Sequence, residues 1–217
     1  MVLGVVFKYR GPMPERRPDS NAVEAEVYWS SGLAEEGTDI NLVLHQLSAP
    51  TPEVVARFGS VPESCLTIGA ALAQPTSRGS VRLASANPRE AAIIDGNYFA
   101  TELDFRATVR AIELARELGR QTAFAAVAEQ ELIPGPSATA SDVEALARAG
   151  ATSFGHPVGG CKMGIDEMAV VDPQLRVRGV EGLRVVDSSI MPRIPTAPTN
   201  APTLMIAGRA AKLILAE

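Results

Sequence analysis

Apolar and polar residues alternate along several short stretches in the first third of the chain, and a period of two predicts β-strands. Because these strands follow one another with only one short helix between them, the pattern predicts an antiparallel sheet. The expected strands are Val2–Tyr9, Val23–Trp29, 40–47, Cys65–Leu72 and 81–83, with the helix at Pro52–Phe58.

The apolar spacing changes to three and four in the middle of the chain, which predicts helices packed against the sheet. The first runs from an N-cap at Thr101 to about residue 118, and the second covers roughly 122–129. A capping box of Ser141 with Glu144 marks the start of the third. The fold class predicted for this part of the chain is therefore α+β, with an antiparallel sheet backed by helices.

After Gly150 the pattern changes to glycine turns, short strands and one last helix at about 201–216. We therefore predict two parts, residues 1–150 and residues 151–217. The short strands of the second part are expected at 169–171 and 183–186.

Composition excludes several classes of protein. A chain of 217 residues with 46% hydrophobic residues can bury a sizeable core. Its net charge of -5, without a basic cluster, argues against nucleic acid and against an anionic membrane surface as partners. No apolar run is long enough to span a membrane and no signal peptide is recognisable, so we expect a cytoplasmic protein. Two distant cysteines, Cys65 and Cys161, form no metal-ligand pattern with the histidines.

A histidine stands in a loop that is dense in glycine. It is His156, one of only two histidines in the chain, and the surrounding glycines and proline let a ligand approach the backbone closely. Because an imidazole titrates near neutral pH, it is suited to accept the proton of an alcohol as a general base. The alternative is a structural histidine bonded to the neighbouring backbone, which the local sequence favours by about two to one.

Asn200 and the helix after it form the second candidate. An asparagine before a helix is most often an N-cap, but its amide can also bond a substrate oxygen without titrating. The helix begins at Ala201, Pro202 and Thr203, and a proline in the first turn costs little. The first N–H groups of such a helix, with the positive end of its dipole, stabilise an anion placed there.

Asp187 is the third candidate, because it ends a predicted strand and opens a turn with Ser188 and Ser189. The plain interpretation is a turn-forming residue. A carboxylate and backbone N–H groups at the C-terminal end of a strand also suit a ribityl or phosphate chain. The second histidine, His45, lies in an alternating strand and is interpreted as structural or pocket-lining.

Several blocks of residues occur in an order and spacing that resemble the C-terminal signature of the glucose–methanol–choline (GMC) family of flavin-dependent alcohol oxidoreductases. The blocks are HPVGGCKMG at 156–164, VVDPQLRVRGV at 170–180, GLRVVDSSIMP at 182–192, then Asn200 and MIA at 205–207. Weaker matches precede them, SRGSVRL at 77–83 and DGNYF at 95–99.

The resemblance implies roles for the candidate residues. It implies that His156 is the catalytic base beside the flavin and that Asn200 helps to bind the substrate oxygen. It implies FAD as the cofactor, and oxidation of a small-molecule alcohol by proton loss to the histidine and hydride transfer to flavin N5. The implied FAD contacts are Asp187, Ser188, Ala201, Pro202 and Thr203. One departure is Gly160, where the family usually has threonine.

A larger departure is that the chain holds no strand–GxGxxG–helix unit, on which the family's flavin site depends. Either a separate chain supplies the N-terminal GxGxxG half, or this sequence is cut from a longer polypeptide. We expect the separate chain, joined through a large, apolar, obligate interface. On this view residues 1–150 are the substrate-binding domain. Residues 151–217 complete a Rossmann-like FAD-binding domain that the other chain supplies.

Two other functions stay open at this point. One is a non-catalytic binding or regulatory remnant of a GMC protein, which would have no need of both His156 and Asn200. The other is a hydroxynitrile lyase, since lyases of this kind resemble the family and also use the histidine.

Overall fold

A computed structural model describes residues 1–15, 18–19, 23–34, 37–47 and 50–216. Within these ranges no helix is both long and apolar enough to cross a membrane. The strands and helices, in chain order, are β1 Val2–Tyr9, β2 Val23–Trp29, β3 Ile40–His45, α1 Pro52–Phe58, β4 Cys65–Leu72, β5 Ser80–Arg82, β6 Ile93–Asp95, α2 Glu102–Gly119, β7 Ala128–Ile133, α3 Ala140–Ala149 and α4 Asn200–Leu215.

The chain divides into two compact units. The first, called the sheet unit, consists of Met1–Ser77 and Tyr98–Phe154. The second, called the loop unit, consists of Arg78–Asn97 and the described residues from Gly155 onward. The division after Phe154 lies close to the boundary predicted at residue 150. The segment 78–97, however, belongs with the C-terminal unit and not with the sheet that precedes it in sequence.

The sheet unit is built on one five-stranded sheet in the order β2-β3-β4-β1-β7, and all its pairings are antiparallel. One face of the sheet is apolar and packs against α2 and α3 in a single buried cluster. Phe105 and Ile112 of α2 and Leu146 of α3 meet Leu42 and Ile68 of the central strands there. The predicted antiparallel sheet backed by helices is therefore confirmed.

The helix predicted at 122–129 is wrong in its second half. A short 3₁₀ helix covers Thr122–Ala126, and the chain then enters β7, which pairs with β1 at the edge of the sheet. The polar run in β7 hides the strand, because Glu131 is buried and its charge is met by two arginines. Arg116 Nε lies 2.7 Å and an Arg120 terminal nitrogen 3.0 Å from the carboxylate.

The start of α3 also differs from the prediction. Thr139, and not Ser141, is the N-cap, and its capping box is completed by Asp142 instead of Glu144. The Thr139 N–H donates to the Asp142 carboxylate over 2.9 Å. The pattern of a hydroxyl residue followed three positions later by an acidic residue occurs twice in succession, and the helix begins at the first occurrence.

The loop unit has little regular structure apart from α4. A two-stranded hairpin joins β5 and β6, and the strands predicted at 169–171 and 183–186 appear only as isolated bridges. These bridges join Val171 to Met163 and Val177, and Arg176 to Arg184. A small buried cluster of Val171, Leu175, Ile190 and Ala210 fastens these turns to α4.

Candidate functional site

His156 is held at the start of α4. Its Nδ1 lies 3.1 Å from the hydroxyl oxygen of Thr199, the residue immediately before the helix. Thr199 is buried and His156 is half-buried. The structure therefore brings the predicted histidine and the predicted helix N-terminus together, although 43 positions separate them in sequence.

The loop that carries His156 is fastened to the turn after Asp187. The Ser188 hydroxyl donates to the carbonyl oxygen of Pro157, the residue after the histidine, over 3.2 Å. The Cys161 N–H donates to the Ser189 carbonyl over 3.0 Å. Because these bonds anchor the backbone of the loop at Pro157 and Cys161, they fix the path of the loop and hold the position of the imidazole.

Asp187 organises that turn. It is the N-cap of the 3₁₀ helix Ser188–Ile190, and its Oδ1 accepts the N–H of Ser189 over 2.8 Å. The residue itself is exposed. The turn-forming role expected from the sequence is thus observed directly, while a role in holding a ligand stays a prediction.

The first turn of α4 lacks a side-chain cap. Asn200, which the sequence suggested as N-cap, is the first helical residue and is exposed; Thr199 takes the cap position. The Thr199 side chain makes no capping hydrogen bond, and its hydroxyl meets the histidine instead. Its carbonyl oxygen accepts both the N–H of Thr203, over 3.0 Å, and the Thr203 hydroxyl, over 2.7 Å. The N–H groups of Asn200 and Ala201 are therefore presented at the helix start, and Pro202 has none to present.

Thr199 is the residue that sequence reasoning missed. Threonine is a favoured N-cap residue, and its place directly before Asn-Ala-Pro gave a local signal for the cap position. Nothing local indicates that the hydroxyl leaves the helix and contacts a histidine 43 residues away.

The remaining candidates of the sequence lie apart from this arrangement. His45 belongs to the sheet unit, and both cysteines are free thiols, with Cys65 buried and Cys161 half-buried. Among the residues described, no group of three or more histidines, cysteines or carboxylates is placed to hold a metal ion.

The arrangement of His156, Thr199 and α4 has a definite chemical capacity. In the neutral imidazole one nitrogen carries a hydrogen and the other accepts one. A contact at Nδ1 therefore determines what Nε2 can do. The uncapped end of α4 adds N–H donors and the positive end of a dipole, which favour negative charge nearby. A base and an anion-stabilising group thus lie side by side.

The comparisons with known proteins agree on one family. A family model described as GMC oxidoreductase matches residues 75–207. Alcohol dehydrogenase [acceptor] from Pseudomonas putida is 43% identical over 142 residues, which is 65% of this chain and 26% of that protein. Mitochondrial choline dehydrogenase from Homo sapiens is 42% identical over 168 residues, which is 75% of this chain and 28% of that protein.

Solved structures show a similar fold. Pyridoxine 4-oxidase from Mesorbium loti superposes with a TM-score of 0.89 at 29% identity, over 100% of this chain and 42% of that one. A formate oxidase from Aspergillus oryzae RIB40, studied for its FAD modification, gives a TM-score of 0.71 at 27% identity, over 84% of this chain and 32% of that one. The chain spans about a quarter of the length of the curated relatives it matches.

Proposed function

Because this chain belongs to the GMC oxidoreductase family, we propose that it is the substrate-binding and catalytic-base part of an FAD-dependent enzyme that oxidises an alcohol to a carbonyl. The observation that carries the proposal is the contact of 3.1 Å between His156 Nδ1 and the Thr199 hydroxyl at the uncapped start of α4. This contact joins a base to an anion-stabilising helix end, and alcohol oxidation needs both.

Thr199 selects the tautomer of the base in this proposal. When its hydroxyl oxygen accepts the Nδ1 hydrogen, Nε2 carries the lone pair and takes the proton of the substrate hydroxyl. The Asn200 side chain donates its amide hydrogen to the same substrate oxygen, which holds the alcohol while its proton leaves. The substrate thereby loses one proton to His156 and one hydride from its carbon, and a carbonyl product remains.

The cofactor is FAD, which when bound supplies the hydride acceptor at N5 of its ring system. The donor set at the start of α4 fits it, since the N–H groups of Asn200 and Ala201 have no side-chain cap to satisfy them. They would face the electron-rich edge of the flavin ring, where negative charge gathers as hydride arrives.

The other proposed FAD contacts are Asp187, Ser188, Pro202 and Thr203. The hydroxyls of Ser188 and Thr203 already donate to carbonyl oxygens of the protein. We therefore assign their contacts to backbone groups and to the free lone pairs of those hydroxyls. The Ser188 hydroxyl has a second role in this proposal, because it keeps the His156 loop in place.

A separate chain completes the enzyme and carries the GxGxxG unit that grips the nucleotide end of FAD. One observation supports this part of the proposal: α4 keeps large apolar side chains such as Leu204 and Met205 exposed. The interface we expect is large and apolar, like a domain interior divided between two chains.

Co-expression of this chain with a neighbouring gene for a GxGxxG protein tests the proposal. The expected result is a yellow complex that loses its flavin absorbance when an alcohol is added without oxygen. A colourless chain that folds well alone would contradict the enzyme assignment and indicate a non-catalytic remnant. A yellow complex that stays oxidised while it cleaves a cyanohydrin would contradict alcohol oxidation and indicate a lyase.

A further inference from the structure

A three-residue turn links the loop that carries His156 to the helix α4. The turn is the 3₁₀ helix Ser188–Ile190, and we call residues 155–163 the histidine loop. The histidine loop and the start of α4 supply the two side chains of the contact between His156 and Thr199. Because the turn touches both segments, its position bears on whether that contact forms.

Each residue of the turn makes one hydrogen bond to the histidine loop. The bonded residues of the loop are Pro157, Cys161 and Met163, over 3.2, 3.0 and 2.8 Å. In the last of these bonds the Met163 N–H donates to the carbonyl oxygen of Ile190. The backbone that follows His156 is therefore tied to the turn at three points.

The histidine loop depends on such anchors because of its glycines. Gly155 and Gly159 stand on either side of His156, with φ of +79° and +83°. Glycine restricts the backbone less than any other residue does. The local sequence therefore does not by itself hold the imidazole in one place.

The other side of the turn packs against α4 through Ile190. This side chain is 3% exposed and shares the small buried cluster with Ala210 of the helix. Ile206, one helical turn earlier, packs against the same cluster. The turn thus contacts both the helix that begins after Thr199 and the loop that carries His156.

Asp187 closes the turn as a hydrogen-bond acceptor. Its Oδ1 accepts the N–H of Ser189 over 2.8 Å and also accepts the Ser189 hydroxyl. Its carbonyl oxygen accepts the N–H of Ile190 over 3.3 Å. The residue is exposed, and among the bonds that the structure describes none joins its side chain directly to the histidine loop. An asparagine accepts the same bonds at a cap position, so closing the turn needs an oxygen and not a charge.

We propose that Asp187 is a positioning residue for His156. By closing the turn, it holds the histidine loop and α4 at the separation at which Nδ1 meets the Thr199 hydroxyl. This role is distinct from the contact with FAD, since Oδ1 serves the turn and Oδ2 is left for the cofactor. The inference rests on the proposed function only in taking His156 to be the base of the reaction.

The tautomer of His156 is the first readout, measured by NMR of the imidazole nitrogens in the full chain without flavin. The chain has two histidines, and the spectrum of His156→Ala shows which signals belong to the other. We expect the ring hydrogen mainly on Nδ1, where the Thr199 oxygen accepts it. Asp187→Ala should lower the ratio of the Nδ1–H to the Nε2–H form about fivefold, and Asp187→Asn should keep the ratio.

Asp95→Ala is the matched control. Asp95 is exposed, lies in the same unit, and accepts the N–H of the residue two positions later over 2.9 Å, as Asp187 does. This variant should leave the tautomer ratio unchanged. Asp187→Ser, which keeps an acceptor, replaces the alanine variant if circular dichroism shows that the latter does not fold, and should lower the ratio less. An unchanged ratio in Asp187→Ala, or an equal fall in Asp187→Asn or Asp95→Ala, would overturn the proposal.

Flavin reduction in the assembled complex is the second readout. Asp187→Asn is the reference, because it loses the carboxylate and keeps the turn. We expect Asp187→Ala to reduce flavin about fivefold more slowly than Asp187→Asn, and the two to become equal when each is combined with Thr199→Val. A gap that persists alongside Thr199→Val would overturn the proposal. A complex that oxidises no alcohol would reject the proposed function, whereas the tautomer ratio in the free chain would still decide the role of Asp187.

Discussion

The two units of the molecule are stabilised in different ways. In the sheet unit, a buried cluster runs from β1 through the central strands to α2 and α3, with residues such as Ile112 and Leu146 fully shielded from water. In the loop unit the buried cluster has four members, and backbone hydrogen bonds between turns hold most of the chain. The first unit has the core of an independent domain, and the second does not.

The residues that form the main core and the residues that we assign to chemistry lie in different units. The residues that we assign to proton transfer, His156 and Thr199, lie in the loop unit. Loops held by few apolar contacts are the common site of function on a rigid scaffold. The α4 helix buries only Ala210 and exposes Leu204 and Met205, so the loop unit has apolar surface available for a partner. The predictions that follow test this separation.

Removing the imidazole should have the largest effect. In the assembled flavin complex, His156→Ala is expected to lower the rate of flavin reduction by about 10²–10⁴-fold, because general-base catalysis is lost. FAD should stay bound, which the absorbance of the purified complex checks. The exposed Glu181→Gln in the same unit is the control. An unchanged reduction rate would remove His156 from the mechanism.

Truncating one apolar side chain in each unit tests the contrast directly. Ile112→Ala opens a cavity in the sheet-unit core and should lower the free energy of unfolding by about 2–5 kcal/mol. Leu204→Ala removes a side chain that is 66% exposed and should change it by less than about 0.5 kcal/mol. Denaturant unfolding read by Trp29 measures the first change, and circular dichroism follows α4. Similar losses for both variants would contradict a loop unit that depends on a partner.

A buried carboxylate should make the sheet unit sensitive to acid. Burial alone would raise the pKa of Asp104, but hydrogen bonds from Ser77 and Thr76 outweigh it and lower the pKa below 3.8. A depressed pKa adds stability above the unfolded value, and this stability is lost as the pH falls through the folded value. Asp104→Asn should therefore cost about 1.5–3 kcal/mol at pH 7, and progressively less as the pH falls below 3.8. Urea unfolding at several pH values measures the gap, which would stay constant if Asp104 were not responsible.

Removing the Thr199 hydroxyl should have a smaller effect on chemistry than losing the histidine. Thr199→Val leaves both tautomers of His156 accessible, so we expect flavin reduction to slow by about tenfold and its pH profile to shift. Helix stability should hardly change, because the hydroxyl makes no capping bond. Thr199→Ser should restore both the rate and the profile. A loss that serine does not rescue would indicate a packing role.

Substitution of two adjacent glycines, Gly159 and Gly160, should have the smallest effects, and each variant is the control for the other. A Cβ at Gly160 meets nothing within 4 Å, so Gly160→Thr is expected to change the free energy of unfolding by less than about 0.5 kcal/mol. Gly159 has a φ of +83°, and Gly159→Thr should cost about 1–2 kcal/mol. Thermal unfolding of the two variants compares them. Equal costs would mean that the loop around His156 has no fixed backbone.

The sequence predicted the sheet well where a strand is an almost continuous apolar run. Val2–Tyr9 and Cys65–Leu72 were predicted with the observed bounds, because both runs are buried along most of their length. It failed at β7, where Glu131 is buried against Arg116 and Arg120. An ion pair of this kind depends on the tertiary structure, and no local pattern reveals it.

The sequence predicted the separate residues of the candidate site, but not the contact between His156 and Thr199 that joins them. The glycine-rich loop and the proline in the first turn of α4 pointed to His156 and to the helix start. The bond from His156 to Thr199 joins segments that are distant in sequence. It depends on a contact that only the folded chain brings about.

The surface of α4 has a practical consequence for anyone who produces this polypeptide. The side chains of four large apolar residues on this helix are exposed to solvent: Leu204, Met205, Ile214 and Leu215. An exposed apolar surface of this kind favours aggregation of newly synthesised copies and the binding of chaperones to them. Synthesis of the proposed partner chain from the same transcript, in matched amounts, would shorten the time during which this surface is exposed.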